Sequence, residues 1–174
     1  MKRRTLLQGF ATLAVLPLIS ACLRDKENIQ AFNMVMVESL NKPPEAWREL
    51  VSPMAYKVLF EEDTERPGTS VLNNEHRDGT YICTACYLPL FESAYKYESG
   101  TGWPSFTQPI AGHIKTKRDF KMIVPRIEYH CARCGGHQGH VFNDGPQPRG
   151  ERWCNNGIAL KFVLLEEELP VLRS

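Results

Sequence analysis

The sequence predicts a mainly β domain entered through short helices, and three observations carry that reading. From about residue 80 onward, short apolar segments (TYIC, KMIVPRIEY, GHVF and GIALKFVLL) alternate with Gly, Pro and Asn clusters, the texture of strands joined by turns. Ile158, Leu160, Phe162 and Leu164 recur at every second position, as a half-buried strand requires. Before residue 79 the apolar residues fall at helical spacing instead. At 174 residues, 43% of them hydrophobic and 24% charged, the chain is sized for one globular domain. A net charge of +1 leaves no electrostatic footprint for nucleic acid, and no such partner is expected.

Taken in order, Lys2, Arg3 and Arg4 precede an uncharged run from Thr5 to Leu23 that is broken by Gln8 and Pro17. This predicts an export signal over residues 1–21. The alternative, an anchoring helix, needs about 20 predominantly apolar residues, more than this run supplies. The ending LISAC resembles a bacterial lipobox, which would make Cys22 the lipidated first residue of the mature chain. Arg3-Arg4 followed by Thr5-Leu6-Leu7 resembles a twin-arginine signal. Loss of residues 1–21 removes three positive charges, leaving 18 basic against 20 acidic residues, a net charge of −2. A lipid rather than charge would then hold the protein at a membrane surface. The expected location is therefore outside the cytoplasm, as a membrane-anchored lipoprotein facing the periplasm or extracytoplasmic space.

Residues 22–41 show no sustained period and read as a tether, with the domain proper over 42–174. Glu45 to Val51 places Trp47, Leu50 and Val51 at helical spacing. Ser52-Pro53 reads as an N-cap followed by proline at the first helical position, opening a second short helix over Met54–Glu62 that Pro67-Gly68 stops. The β body follows.

Of six cysteines, four fall into two Cys-x-x-Cys pairs, Cys83/Cys86 and Cys131/Cys134. Brought together, they would offer four thiolates in the tetrahedral arrangement of structural zinc. The separation of the pairs exceeds the usual finger spacings, so two disulfides remain an alternative, one favoured by an oxidising compartment. Iron on four thiolates is another. No histidine follows either pair, which argues against covalent haem. Four protein ligands leave no open position, so a metal here would be structural and the chemistry would lie elsewhere.

Cys154 has neither partner. Its neighbours Glu151, Arg152, Asn155 and Asn156 are polar, unlike those of an inert core thiol, and a nearby cation favours the nucleophilic thiolate. His137 and His140 lie among glycines, and either imidazole could pass a proton near neutrality. Taken singly, each also fits a satisfied surface or metal-bound histidine. Trp103, between Gly102 and Pro104, suits a pocket wall as well as a core.

The stretches YICTACYLPLF, KYESGTGWPSF, CARCGGHQGHVFNDGP and GERWCNNGIALKF resemble, in this order, the signatures of B-type methionine sulfoxide reductases. The resemblance runs from about Pro44 to Phe162. It implies two antiparallel sheets in a tent- or barrel-like body, one structural zinc ion at Cys83, Cys86, Cys131 and Cys134, and a nucleophile at Cys154. It places His137, His140 and Asn156 with the catalytic set, and Trp103, Arg152 and Phe142 with the substrate-binding set. The activity implied is reduction of the R epimer of methionine sulfoxide in proteins and peptides.

On this reading the Cys154 thiolate attacks the sulfoxide sulfur while His140, helped by His137 or a water, protonates the oxygen, and Cys154 becomes a sulfenic acid. Many family members carry a resolving cysteine where this chain has Thr101, so the expected reductant is external, a thioredoxin-like or small-molecule thiol. Trp153 stands where tyrosine or phenylalanine is common, which should alter packing rather than reaction type. The competing expectations are a zinc-clamped binding module without catalysis and a thiol peroxidase using Cys154.

Overall fold

The computed structural model describes residues 37–120 and 125–174. The export signal, the lipidated Cys22, most of the tether and residues 121–124 of the KMIVPRIEY segment lie outside the described residues. Among those described, no helix is long and apolar enough to cross a membrane.

The far end of the expected tether is not free chain. Val37 and Leu40 pack against the hydrophobic core, and the Leu40 N–H donates to the Arg133 carbonyl at 2.9 Å. Packing therefore reaches at least five residues before the boundary drawn at 42, because two apolar side chains there find buried surface.

The helix expected over 45–51 shrinks to one 3-10 turn, Pro44–Trp47, which delivers Trp47 to the core. Proline at 53 holds Ser52 in an extended conformation (ψ 154°), which ends any helical run before it. That same pair then starts α1 (Pro53–Phe60), with the Ser52 hydroxyl accepting from the Ala55 N–H. The helix stops at Phe60, two residues early, because Glu62 turns into the left-handed region at φ 55°. Ala55, Tyr56, Val58 and Leu59 form its buried face.

Nine strands follow among the described residues: β1 (Gly79–Cys83), β2 (Pro89–Glu92), β3 (Lys96–Tyr97), β4 (Ser105–Phe106), β5 (Ile114–Asp119), β6 (Arg126–Cys131), β7 (His137–Phe142), β8 (Arg152–Asn155) and β9 (Leu160–Leu164). They form two antiparallel sheets, as expected: a small one ordered β2-β1-β9 and a large one ordered β3-β4-β8-β7-β6-β5. Ile158 falls in a 3-10 turn, Gly157–Ala159, rather than at the head of β9.

Aromatic side chains fill the space between the sheets. Phe91 and Phe106 stack at 4.1 Å, Tyr81 meets Phe106 edge-on at 4.9 Å, and Tyr129 meets Trp153 edge-on at 5.1 Å. Each such buried ring contributes roughly 1.5–3 kcal/mol through lost exposure to water. The departure at Trp153 is thereby a packing feature, with its indole N–H donating to Glu151. Phe106, Tyr129 and Trp153 commit one face of the large sheet to the core. Side chains alternate along a strand, so their neighbours must project from the other face.

Candidate functional site

That other face carries a polar row. Register pairs Ser105 on β4 with Cys154 on β8, Cys154 with His140 on β7, His140 with Glu128 on β6, and Glu128 with Lys117 on β5. Directly opposed residues on neighbouring strands hold their Cβ atoms about 4.5–5.5 Å apart, so the row is contiguous. A thiol, an imidazole, a carboxylate and an ammonium group thus lie across the sheet.

His137 joins this face through a bulge. Residues three apart on a regular strand point to opposite faces, yet register shifts beside His130 so that it opposes His137 and leaves Gln138 as the extra residue. The His137 and His140 rings consequently meet edge-on with centroids 5.3 Å apart. His137 is buried, Nδ1 3.4 Å from Glu128, and stands behind His140 without lining the cavity beside Cys154.

That cavity, about 90 Å³, is lined by Thr64, Trp103, Arg126, Gly139, His140, Phe142, Cys154, Asn155 and Asn156. Larger hollows of about 560 and 480 Å³ occur elsewhere, but Cys154 lines neither. The Trp103 wall is anchored by its indole N–H donating to the Glu65 carbonyl at 2.9 Å. Gly102 before it is required: it sits at φ +91°, and a Cβ there would meet the Gly68 nitrogen at 2.9 Å. Asn156 lines the cavity, but its amide also braces the backbone, accepting from Glu65 N–H and donating to the Gln138 carbonyl.

The electrostatics differ from the sequence expectation at one point. Arg152 does lie on the same face as Cys154, stacked 4.3 Å over the Phe142 ring. Its guanidinium, however, is bound in a bidentate pair by Asp144 at 2.8 and 2.9 Å. Burial of Cys154 pushes its thiol pKa up, and Arg152 with the Thr101 and Ser105 hydroxyls only partly offsets that. The resting sulfur is therefore a thiol near neutral pH, not the thiolate that an adjacent cation suggested.

Burial also pushes the pKa of His140 down, against the opposing effect of its hydrogen bond to Asp119. The contact runs from Nε2 to Asp119 Oδ2 at 3.0 Å, and Arg126 holds the same oxygen at 2.6 Å. A neutral ring donating from Nε2 keeps Nδ1 as its basic nitrogen. Thiol and neutral imidazole side by side can move one proton without creating a net charge.

The paired cysteines form a separate site. In each pair the residue after the second cysteine has positive φ (Tyr87 at 65°, Gly135 at 75°), and its N–H bonds back to the first cysteine's carbonyl at 2.9 Å. These matching turns end β1 and β6, one from each sheet, and bring all four sulfurs within 4.8 Å of one another. Cys83–Cys134 and Cys86–Cys131 are 3.6 and 3.5 Å apart. Tetrahedral zinc with bonds of about 2.3 Å sets sulfurs about 3.8 Å apart, whereas a disulfide sets them about 2.05 Å apart. The cradle therefore fits a four-coordinate ion and not two disulfides. Hydrogen bonds from the neighbouring sulfurs, that of Cys131 foremost, push the Cys86 thiol pKa far down. Gln138, fully buried, donates to Cys83 at 3.5 Å, as an outer-shell partner of a thiolate would.

With fold, row and cradle in hand, the chain can be set beside known proteins. A family model described as the SelR domain matches residues 51–164. The "Peptide methionine sulfoxide reductase MsrB" of Bradyrhizobium diazoefficiens is 50% identical over 122 residues, 70% of this chain and 88% of that one. The chain belongs to the B-type methionine sulfoxide reductases. The protein of the same name from Leptospira interrogans is 46% identical over 124 residues, covering 71% and 95%. "Peptide methionine sulfoxide reductase B1, chloroplastic" of Arabidopsis thaliana is 46% identical over 122 residues, covering 70% and 60%.

The structure brings most of the residues expected at the site to one cavity, and leaves two outside its lining. The cavity collects Cys154, His140, Asn156, Trp103 and Phe142, with Arg152 beside the sulfur and His137 one layer behind. Asp119, Glu128, Ser105, Thr64, Arg126, Asn155 and Asp144 were not foreseen. Glu128 and His130 at period two in RIEYHC are the one hint the sequence held.

Proposed function

We propose that this reductase acts on the R epimer of methionine sulfoxide in proteins and peptides, through a sulfenic acid at Cys154 that an external thiol reduces. The observation that carries the reading is the pairing of Cys154 with His140 at the mouth of a small cavity walled by Trp103.

The sulfoxide methyl packs on the Trp103 and Phe142 rings, which leaves the electrophilic sulfur facing Cys154 Sγ. Cys154 donates an electron pair to that sulfur as its proton passes to His140 and on to the sulfoxide oxygen. The S–O bond breaks to release hydroxide, which attacks Cys154 Sγ. The bond between the two sulfurs then breaks with its electron pair left on the methionine sulfur, and Cys154 is left as a sulfenic acid. Atoms and charge balance because the thiol brings its own proton. His140 is held for the transfer by Asp119, and His137 and Glu128 hold it from behind. Asn156 and Arg152 shape the cavity and its field.

Regeneration uses two external thiols, which reduce the sulfenic acid to thiol and water and leave as a disulfide. Thr101 supplies a hydroxyl to Cys154, and the four other cysteines among the described residues sit in the cradle. The cradle fits one structural zinc ion, whose contribution is to cross-link the two sheets. We extend the proposal to an exported lipoprotein anchored through Cys22, supported by the basic start, the uncharged run and the LISAC ending.

Turnover on separated R and S sulfoxide peptides, for wild type and Cys154→Ser side by side, tests the reading. It predicts turnover of R alone by wild type and none by the variant. Equal use of both epimers, or faster reduction of hydrogen peroxide, would contradict it.

A further inference from the structure

The polar face holds a second set of metal-ligating groups, apart from the four sulfurs. One ligand atom each from Glu128, His130 and His137 lie within 4.8 Å of one another. The set is built by the fold: Glu128 and His130 alternate along β6, and the bulge at Gln138 places His137 directly across from His130. Measured contacts are 2.9 Å from His130 Nε2 to Glu128 Oε1 and 3.4 Å from His137 Nδ1 to Oε2. The Glu128, His130 and His137 side chains are 3%, 14% and 2% exposed, so their rotamers are largely fixed before any ion arrives.

Two imidazoles and one carboxylate make a donor set for borderline divalent cations such as zinc, not for calcium or magnesium. There is also a way in. His130 lines a cavity of about 480 Å³ together with Glu62 and Lys117, separate from the one beside Cys154. Lys117 now supplies the positive charge, its ammonium 2.5 Å from Glu128 and 2.7 Å from Glu62. Its side chain is 53% exposed, so it can leave Glu128 and keep Glu62.

We propose that Glu128, His130 and His137 form a second, exchangeable site for a zinc-class divalent cation, in competition with the Lys117 ammonium. Occupancy ties Glu128 and His137, the groups that support His140, to an ion. Excess metal would then restrain the reductase, a consequence that rests on the function proposed above.

Binding can be measured without turnover. Zinc-loaded Cys154→Ser protein is titrated with Co2+, a spectroscopic stand-in for zinc. One equivalent should bind, with the visible bands of a nitrogen- and oxygen-ligated ion and no thiolate charge-transfer band. Adding His130→Phe should weaken binding at least about tenfold, the scale on which metal sites respond to a lost partner. Adding Lys117→Met, on the half-exposed side chain, should tighten it several-fold and keeps the test alive should His130→Phe not fold. Absence of binding, a thiolate band, or a Co2+ affinity indifferent to Lys117→Met would overturn the proposal. Because Cys154 is absent throughout, failure here leaves the sulfoxide reading untouched.

Discussion

The two cysteine sites of this molecule use the same element to opposite ends. In the cradle, four sulfurs sit at strand ends in matching tight turns and face one another within 4.8 Å. In the row, one sulfur sits mid-strand, facing an imidazole and hydroxyls across the sheet. Crowded sulfurs share charge best on a metal and lose their reactivity. A sulfur flanked by proton carriers is left able to react. The neighbours, not the cysteine, decide the role.

The largest way to break that contrast is to empty the cradle. A structural ion worth on the order of 10 kcal/mol rivals the whole stability of an ordinary domain, about 5–15 kcal/mol. Chelation or Cys131→Ser should therefore abolish the cooperative calorimetric transition. Cys154→Ser should do the reverse, keeping one zinc per chain and the transition midpoint while losing detectable sulfoxide turnover.

A finer cut acts on the proton path. His140→Asn should lower kcat roughly 10²–10⁴-fold, the usual worth of a general acid–base, with zinc content unchanged. Asp119→Asn should give a smaller loss in the same steady-state assay, since it only orients the ring.

The smallest effect is a pH shift. Burial raises the folded-state pKa of Cys154 above its ordinary value, so the thiolate fraction is low at neutrality and grows as pH rises. The reacting form keeps the thiol proton, so the kcat/KM profile should stay level through neutrality and fall only above about pH 9, as the thiol ionises. Arg152 lowers that pKa, so Arg152→Met should displace the fall to higher pH; a shift to lower pH would show that the sign is wrong.

The cradle was legible in the sequence because each half is local: Cys-x-x-Cys with its turn spans five residues. Cys154, the histidines and Trp103 were legible for the same reason. What stayed hidden depends on register. Ser105, Glu128 and Lys117 join the row only once five strands are aligned, and no spacing within one strand announces that. His137 and His140 share a face because of a bulge that simple alternation would deny. Asp119 reaches His140 from β5, 21 residues earlier, and Asp144 neutralises an arginine whose charge alone suggested a thiolate. The helix expected over 45–51 failed because Ser52-Pro53 starts one helix by ending another.

The most direct test gives the zinc-loaded protein one equivalent of methionine sulfoxide peptide without reductant, then maps every cysteine by mass spectrometry after trapping sulfenic acids. The account predicts one trapped oxygen, on Cys154, with zinc still bound and Cys83, Cys86, Cys131 and Cys134 unmodified. A disulfide joining Cys154 to any of those four, or zinc released as methionine forms, would contradict it.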